Sequence, residues 1–279
     1  MNFADLDENF RDFARSRVMV VPIPYEKTTS YMKGTQKGPD AILKSSRNIE
    51  LFDYETGINA AEKGIYTTDP ISCDSALELI EKTKEFCRFI NKKNKFPIFL
   101  GGEHTISIGP VLAFKEYYKE LSVLCFDAHL DLRDKFEEKY SHACVMRRIN
   151  EKGVGVSYVG VRSCCEEEIE FVKNNKLKVQ WDNVYDVKKL ISSLKKNVYI
   201  SIDLDVLDPS VMPAVGTPEP GGLGWYELLE ILKEVFRSRK IVGADVVELC
   251  PIENLEYPNL TASKLVYKLI TYDSINQQV

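Results

Sequence analysis

The sequence lacks the features of several common classes of protein. No apolar run is long enough to span a membrane, and Met1 to Phe10 is acidic without a basic or an apolar segment, so we expect no secretory signal. The 37 basic and 42 acidic side chains leave a net charge of −5, so neither nucleic acid nor a membrane is an expected partner. No repeat, low-complexity tract or Pro/Gly/Ser-rich linker divides the chain, which predicts a single domain over residues 1–279.

Cysteine pairs are missing and histidine is scarce. None of the seven cysteines forms a C-x-x-C pair and their number is odd, which is typical of reduced thiols in the cytoplasm, although adjacent Cys164 and Cys165 leave a redox-active pair open. A lone histidine is usually structural. The only three histidines all lie beside acidic motifs, which favours a shared functional role: His104, His129 and His142.

Short apolar segments alternate with amphipathic segments along the chain. The apolar segments predict strands at Val18 to Ile23, Phe96 to Leu100, Leu121 to Phe126, Val154 to Val161, Leu177 to Trp181, Val198 to Leu204 and Ile241 to Val247. Helices are predicted from Pro39, over Ser75 to Ile90, Ser107 to Tyr118, from His142 to Glu151, Glu166 to Lys173, Val184 to Leu194, Tyr226 to Phe236 and Ala262 to Tyr272. Alternating strands and helices predict an α/β fold with three layers, αβα, and a mainly parallel sheet, whose ligands bind at the carboxyl ends of the strands.

The first acidic motif follows the strand Leu121 to Phe126. Asp127, His129 and Asp131 stand at alternate positions, so continued strand geometry would point all three side chains the same way. Two carboxylates and an imidazole suit a hard or borderline divalent metal ion. The alternative is a solvated turn whose acids cap a following helix.

A second acidic motif ends the strand Val198 to Leu204. Asp203 and Asp205 share one face by the same alternation, and no basic residue lies in the motif. Because unpaired buried charges are costly, a cation must lie nearby, either a Lys or Arg side chain or a metal ion. Asp208 precedes Pro209 and is typical of a turn, with a contact to the site left open.

The third motif places His104 just after the strand Phe96 to Leu100. Two glycines precede this histidine and permit a tight turn, and we expect its ring to face the same crevice. A helix N-terminus capped by Thr105 or Ser107 would account for the hydroxyl groups but not for the histidine.

Together the three motifs supply four carboxylates and two imidazoles. One ion rarely needs so many charged ligands, whereas two ions about 3.5–4 Å apart that share bridging carboxylates do, and such a pair makes hydroxide from water at neutral pH. An oxygen-rich set with two histidines fits Mn²⁺ best, with Zn²⁺, Fe²⁺ or Co²⁺ as alternatives. The candidate metal ligands are His104, Asp127, His129, Asp131, Asp203 and Asp205.

These motifs resemble those of the ureohydrolase family of arginases and agmatinases, and the resemblance covers nearly the whole chain. It implies the fold shared by arginases and deacetylases, and the Ser-x-Asp-x-Asp-x-x-Asp-Pro pattern favours a ureohydrolase over a deacetylase. The matching metal-binding motifs are Gly101 to Thr105, Asp127 to Asp131 and Ser201 to Pro209, and the N-terminal segment matches at Ile23-Pro24-Tyr25, Ser30-Tyr31, Gly34 and Gly38-Pro39.

The resemblance also implies a role for individual residues. Asp127 and Asp203 would bridge two Mn²⁺ ions, one held with His104 and Asp131 and the other with His129 and Asp205. His142 would shuttle protons and contact the substrate, Glu248 would bind the guanidinium group, and Asp131 or a neighbouring acid would protonate the leaving amine. Glu103 stands where the family usually has Asp, a change beside the ligands rather than among them.

Substrate choice depends on the residues that follow the first motif. Arginases carry an Asn and a Ser-rich loop there, whereas this chain has Leu132-Arg133-Asp134, and Thr217 to Leu223 is also closer to agmatinases. The resemblance therefore implies a small cationic guanidino substrate, agmatine, converted to putrescine and urea in polyamine biosynthesis. Aminopropylagmatine, guanidinobutyrate, formiminoglutamate and, less favoured, arginine remain alternatives, as does a non-catalytic metal-binding relative. The resemblance further implies a homo-oligomer, either a trimer or a hexamer.

Overall fold

A parallel sheet forms the centre of the protein. A computed structural model describes residues 1–182 and 184–276. The strands within these residues are β1 (Val18–Ile23), β2 (Phe52–Asp53), β3 (Ile58–Asn59), β4 (Ile65–Thr67), β5 (Phe96–Gly101), β6 (Leu121–Phe126), β7 (Gly155–Val161), β8 (Lys178–Trp181), β9 (Asn197–Asp203) and β10 (Lys240–Val247). Eight of them form one sheet in the order β4-β1-β5-β10-β9-β6-β7-β8, in which every neighbouring pair is parallel, while β2 and β3 form an antiparallel hairpin.

Helices cover both faces of the sheet. They are α1 (Gly38–Ser45), α2 (Ala76–Asn91), α3 (Ile108–Tyr117), α4 (Val145–Glu151), α5 (Glu166–Asn175), α6 (Val187–Ser193), α7 (Trp225–Ser238) and α8 (Tyr257–Asn276). On β6, Leu124 and Phe126 join the core beneath α1, α6, α7 and α8. The alternate residues Val123 and Cys125 join the core beneath α2 to α5. This arrangement confirms the predicted three-layer αβα fold.

The predicted elements are all present, with shifted ends. The largest shift is in α8, which begins at Tyr257 rather than at Ala262, because Pro258 suits the first turn of a helix. Helix α6 begins later than predicted, where the Asp186 side chain accepts the backbone N–H of Lys189. The short strands β2, β3 and β4 were not predicted, since runs of two or three residues carry little periodic signal. In the part of the chain that is described, no helix has the combined length and apolar character to cross a bilayer.

Four central strands bring the acidic motifs to one edge of the sheet. β5, β10, β9 and β6 are consecutive neighbours and parallel, so their carboxyl ends lie side by side. The Glu248 backbone N–H donates to Gly102 O at 2.9 Å and ties the ends of β10 and β5 together. A Cβ at Gly102 would lie only 2.1 Å from Tyr25 O, so this approach requires glycine. The side chains carried to this edge include His104, Asp127, Asp205 and Glu248.

Candidate metal centre and active site

The acidic motifs extend beyond the strands into loops. β6 ends at Phe126 and β9 ends at Asp203, so Asp131 and Asp205 lie in the turns that follow. The prediction that strand alternation aligns these side chains was therefore wrong in its geometry. Asp131 has a φ of 50°, a left-handed backbone that is uncommon for a residue with a side chain. The loops, rather than a continued strand, bring the carboxylates together.

Asp127 lies between two histidines. Its Oδ2 is 3.2 Å from Nδ1 of His104, and its Oδ1 is 3.5 Å from Nδ1 of His129. Oδ1 also accepts the backbone N–H of His129 at 2.6 Å, and the side chain is completely buried. Because each oxygen faces a different imidazole, Asp127 is oriented as a carboxylate that bridges two cations would be.

The other three aspartates surround the same two rings. Oδ2 of Asp131 and Oδ2 of Asp203 lie 3.1 and 3.5 Å from Nδ1 of His104. Oδ2 of Asp205 lies 2.9 Å from Nδ1 of His129. The structure thus gathers all six residues named from the sequence as metal ligands into one cluster, with one histidine at each end.

The ring of His104 is oriented by hydrogen bonds on its far side. Its Nε2 lies 2.8 Å from Oγ of Ser201, and Ser201 donates to Oδ1 of Asp245 at 2.7 Å. Since the hydroxyl proton of Ser201 goes to Asp245, the ring must donate through Nε2–H, so that only Nδ1 is left to bind a cation. Burial lowers the pKa of His104, but Asp127, Asp131 and Asp203 outweigh it and raise that pKa well above its usual range, so Nδ1 binds a proton when no metal ion replaces it. This Nδ1 is buried and has no hydrogen-bond partner among the described residues. A lone pair aimed into a group of carboxylates is satisfied by a cation, as in a metal-bound histidine.

Burial and mutual repulsion disfavour the charged carboxylates. Burial, followed by the charge of Asp127, raises the pKa of Asp131 to about 7. Burial, followed by the charges of Asp205 and Asp127, holds the pKa of Asp203 well above its usual range. Burial lowers the pKa of His129, but the attraction of Asp205 and Asp127 outweighs it and raises that pKa to about 12. All three shifts indicate a deficit of positive charge.

Lysine and arginine side chains do not compensate for the deficit of positive charge in the cluster. Among residues 1–182 and 184–276, no lysine or arginine forms an ion pair with the four clustered aspartates. Arg162 lies close by, but its guanidinium donates to the backbone carbonyls of Asp205 at 2.6 Å, Glu219 at 3.0 Å and Pro220 at 3.1 Å. Arg162 therefore holds the loop that carries Asp205, and the cluster still needs a cation. Four carboxylates and two imidazoles fit divalent ions such as Mn²⁺.

Among the residues that the structure describes, two groups of side chains are close enough together to hold a metal ion. They are Asp127-His129-Asp205 and His104-Cys125-Asp127. Cys125 was not singled out from the sequence. Burial, and then the charge of Asp127, hold the pKa of the Cys125 thiol well above its usual range, so it stays protonated and donates to Asp127 Oδ2 at 3.9 Å. In the absence of metal, Cys125 is thus a protonated neighbour of the cluster.

Glu248 follows β10 with a left-handed backbone, at a φ of 64°. Its Oε1 accepts the backbone N–H of His104 at 2.7 Å, and the carboxylate contributes to the pocket above the cluster. Burial, and then the charge of Glu103, hold the pKa of Glu248 well above its usual range. A cationic ligand on the remaining oxygen would relieve that cost through charge-assisted hydrogen bonds.

His142 lies on another wall of the same pocket. Its Nδ1 is 3.4 Å from Oγ1 of Thr28, and its Nε2 is 3.3 Å from Oγ of Ser30. The ring of Phe136 packs edge-on against it, with centroids 5.7 Å apart. Burial, the largest influence, lowers the pKa of His142, so the ring is neutral at pH 7 and able to accept a proton.

The pocket is a cavity of about 210 Å³ that connects these groups with the surface. Sequence reasoning missed several of its lining residues. Ser163 and Cys164 follow β7, so the rule that ligands bind at carboxyl ends of strands could have indicated them. The loop that carries Ser30 follows β1, so the same rule could have indicated it as well. The residues named from the sequence that line the cavity are His129, Asp131, His142, Asp203 and Glu248.

The structural alternatives to a metal site are not observed. Thr105 donates its hydroxyl proton to Glu103 at 2.6 Å, and Ser107 makes no side-chain cap to α3. Asp208 accepts the backbone N–H of Ser210 at 2.8 Å and has the turn role expected for it. Asp203 accepts the backbone N–H of Asp205 at 2.9 Å and so caps the short 3₁₀ turn Leu204–Val206. Among the described residues none of the four aspartates caps an α-helix, and all four are buried rather than solvated.

Comparisons with known proteins agree with this geometry. The model of the arginase family matches residues 16–271. An N(1)-aminopropylagmatine ureohydrolase of Synechocystis sp. is 39% identical, covering 95% of this chain and 92% of the relative. An agmatinase of Pyrococcus horikoshii is 36% identical, with 93% of each chain covered.

A solved structure has the same architecture. The crystal structure of agmatine ureohydrolase of Thermoplasma volcanium superposes with a TM-score of 0.88, at 29% identity, covering 96% of this chain and 93% of that one. Sequence, fold and clustered acids therefore agree. The chain belongs to the arginase family and is an agmatinase-like ureohydrolase, a hydrolase acting on the C–N bond of an amidine group.

Proposed function

We propose that the chain is a Mn²⁺-dependent ureohydrolase that converts agmatine and water to putrescine and urea. The observation that carries this proposal is the buried Nδ1 of His104, which has no hydrogen-bond partner among the described residues and faces three carboxylates that no lysine or arginine there neutralises. At the other end of the cluster, His129 faces Asp205 and Asp127 in the same way. Two donor sets that share Asp127 suit two cations.

The proposed ligand sets follow these contacts. Two ions in the cluster would supply Lewis acidity, which lowers the pKa of water and makes it a nucleophile near pH 7. Asp127 and Asp203 would be shared between the sets. The contacts of His104 give one set, His104, Asp127, Asp131 and Asp203, and those of His129 give Asp127, His129 and Asp205. In this proposal Asp203 completes the second set, as the resemblance to the family implies.

Glu248 binds and orients the guanidinium group in this proposal. One of its oxygens is used by the His104 backbone, and the other is available for the planar N–H groups of a guanidinium ion. Guanidinium is a weak electrophile because its charge is delocalised. Fixing its carbon beside the acidic cluster therefore accounts for much of the rate, since well-oriented groups react far faster than free ones.

Asp131 and His142 move protons. Water attacks the guanidinium carbon and gives one proton to Asp131, which lines the pocket at the cluster. Asp131 passes that proton to the amine nitrogen as its C–N bond to the guanidinium carbon breaks, so the water oxygen remains in urea. The second proton of the water reaches the departing amine through His142, which lines the same cavity and exchanges protons with solvent, and the amine leaves as an ammonium ion.

N(1)-aminopropylagmatine is the second candidate substrate. The Synechocystis relative named for it is 39% identical to this chain, against 36% for the Pyrococcus agmatinase. Both substrates present the same guanidinium group and differ only in an aminopropyl extension at the far end. That extension would lie beyond the cavity, near Cys164 and Glu168 at its lining.

The test is urea release by the Mn²⁺-loaded protein across a panel of guanidino compounds. We expect the highest kcat/KM for agmatine and loss of activity in Asp127→Asn and in Asp203→Asn. A rate of urea release equal to that of the wild type in either variant would contradict the mechanism. A higher kcat/KM for N(1)-aminopropylagmatine would replace agmatine with the second candidate, and absence of bound metal would indicate a non-catalytic relative.

A further inference from the structure

We propose that Thr28, oriented by Glu103, fixes the tautomer of His142, so that Nδ1 carries the proton and Nε2 presents its lone pair beside Ser30. Thr28 and Glu103 are then positioning residues that act through His142. The inference rests on the proposed function only in giving His142 a role in proton transfer. The tautomer itself follows from hydrogen-bond donors and acceptors.

The Glu103 carboxylate receives four hydrogen bonds in a buried site. Its Oε2 accepts the backbone N–H groups of Lys27 at 2.6 Å and Thr28 at 2.7 Å. Its Oε1 accepts the hydroxyl protons of Thr28 at 2.7 Å and Thr105 at 2.6 Å. Glu103 is completely buried. A carboxylate surrounded by four donors can only accept, so it takes the single hydroxyl proton of Thr28.

The hydroxyl oxygen of Thr28 must therefore be the acceptor in its other hydrogen bonds. The backbone N–H of His142 donates to its Oγ1 at 3.0 Å. The same Oγ1 lies 3.4 Å from Nδ1 of the His142 ring. Since the only proton of this hydroxyl points to Glu103, the contact with the ring exists only if Nδ1–H is the donor.

The neutral ring then has its lone pair on Nε2. This atom lies 3.3 Å from Oγ of Ser30, which can donate to it, and both residues line the cavity. A neutral imidazole has one protonated and one unprotonated nitrogen, and the hydrogen bond on one side selects which. In this arrangement the proton-accepting atom of His142 faces the cavity instead of the protein interior.

The chain offers a variant that reverses the expected tautomer. In Glu103→Gln, the amide oxygen must stay with the two backbone N–H groups, because those groups can only donate. The amide NH₂ then faces the hydroxyl of Thr28, which accepts from it and turns its own proton toward Nδ1 of His142. The ring would respond by carrying its proton on Nε2. Glu103→Asp keeps the carboxylate and serves as the matched control.

Nitrogen NMR of the full-length Zn²⁺-loaded protein, labelled only at histidine, reads the tautomer directly. The chain has only three histidines, and His142→Asn identifies the signal of interest. We expect a protonated Nδ1 in the wild type, in Thr28→Ser and in Glu103→Asp, and a protonated Nε2 in Glu103→Gln. A wild-type ring protonated on Nε2, or an unchanged tautomer in Glu103→Gln, would overturn the proposal.

Kinetics give a second measurement. We expect Thr28→Val to lower kcat about tenfold with KM nearly unchanged, because the reactive tautomer is no longer enforced, and Thr28→Ser to retain the wild-type kcat. Equal kcat values in the two variants would contradict the proposal. If no substrate releases urea, the proposed function fails, while the NMR result still decides the tautomer.

Discussion

Two groups of buried or half-buried acids in this protein are neutralised in different ways. In the hairpin of β2 and β3, Lys268 of α8 lies 2.6 Å from Asp53 Oδ2 and 2.7 Å from Glu55 Oε2, and Lys233 of α7 lies 2.7 Å from Glu55 Oε1. Burial raises the pKa of Glu55, but the bonds from Lys233 and Lys268 outweigh it and lower that pKa to about 2. The ammonium groups of Lys268 and Lys233 therefore neutralise these acids within the protein.

The acids at the carboxyl edge of the sheet have no such partners. Burial and like charges raise the pKa of Asp131 and of Asp203, the opposite direction from Glu55. The basic side chains nearest to them belong to His104 and His129, and the ring of His104 is held with Nδ1 facing the acids. The difference between the two groups indicates that the hairpin acids stabilise the fold, whereas the acids at the sheet edge need cations bound from solution.

Neutralising a shared acid should have the largest effect. We expect Asp127→Asn to lower kcat/KM at least about a thousandfold, roughly 4 kcal/mol of barrier, because both donor sets lose a charged ligand. The readout is urea release at saturating Mn²⁺. Asp208→Asn is the control, since that acid bonds only within its own turn, and it should keep near-normal activity. Equal losses of kcat/KM in the two variants would contradict the assignment of Asp127 to the cluster and of Asp208 to a turn.

Removing the lysine of the hairpin group should affect stability and leave chemistry intact. Lys268→Met keeps the length of the side chain but leaves Asp53 without its cation, so we expect a loss of about 3 kcal/mol in the free energy of unfolding. Denaturant titration measures it. Lys264→Met, on the same helix, removes a lysine with no carboxylate partner among the described residues and should cost much less. A Lys268→Met variant of normal stability but no activity would contradict the claim that the hairpin group serves stability and not catalysis.

Removing the metal should make the stability of the protein depend on pH through the raised pKa of Asp131. The Asp131 carboxyl has its pKa raised from 3.8 to about 7, so the folded, metal-free chain holds a proton that the unfolded chain releases. Its contribution to stability is therefore present below about pH 4 and is lost as the pH rises to about 7. Mn²⁺ replaces that proton, so its stabilisation should grow over the same window, to about 2.7 kcal/mol at a hundredfold excess over Kd. Thermal unfolding with Mn²⁺ or with EDTA checks this, and a gain that shrinks with pH would contradict it.

The smallest effect should come from the arginine that holds the Asp205 loop. Arg162→Lys loses the fork of donors that spans six backbone carbonyls, and we expect about tenfold weaker Mn²⁺ binding with KM little changed. Arg239→Lys is the control, because the Arg239 guanidinium donates to three backbone carbonyls but lies before β10, at the opposite edge of the sheet. Metal titration of the two variants should separate them, and equal affinities would show that the loop does not depend on Arg162.

The sequence predicted the layers, the strand ends and the six clustered residues because those features are local. Residues such as Asp127 and Asp203 directly follow or end a buried strand, and parallel strands bring their carboxyl ends together. The reason given for their alignment was wrong, because Asp131 reaches the cluster through a left-handed turn and not through strand alternation.

The residues that the sequence did not reveal act over long distances along the chain. Ser201 orients His104 across 97 positions, and Thr28 reaches His142 across 114. The pair of Lys268 with Glu55 spans 213 positions. No periodic pattern encodes such contacts, since they depend on how loops and helices pack after the sheet has formed.

The central claim is that the acids at the carboxyl edge of the sheet hold two cations. Equilibrium dialysis of the full chain against Mn²⁺, followed by metal analysis, measures this directly. The account predicts two Mn²⁺ ions per chain in the wild type and in Lys268→Met, and fewer in Asp127→Asn. One ion or none in the wild type, or two in Asp127→Asn, would contradict it.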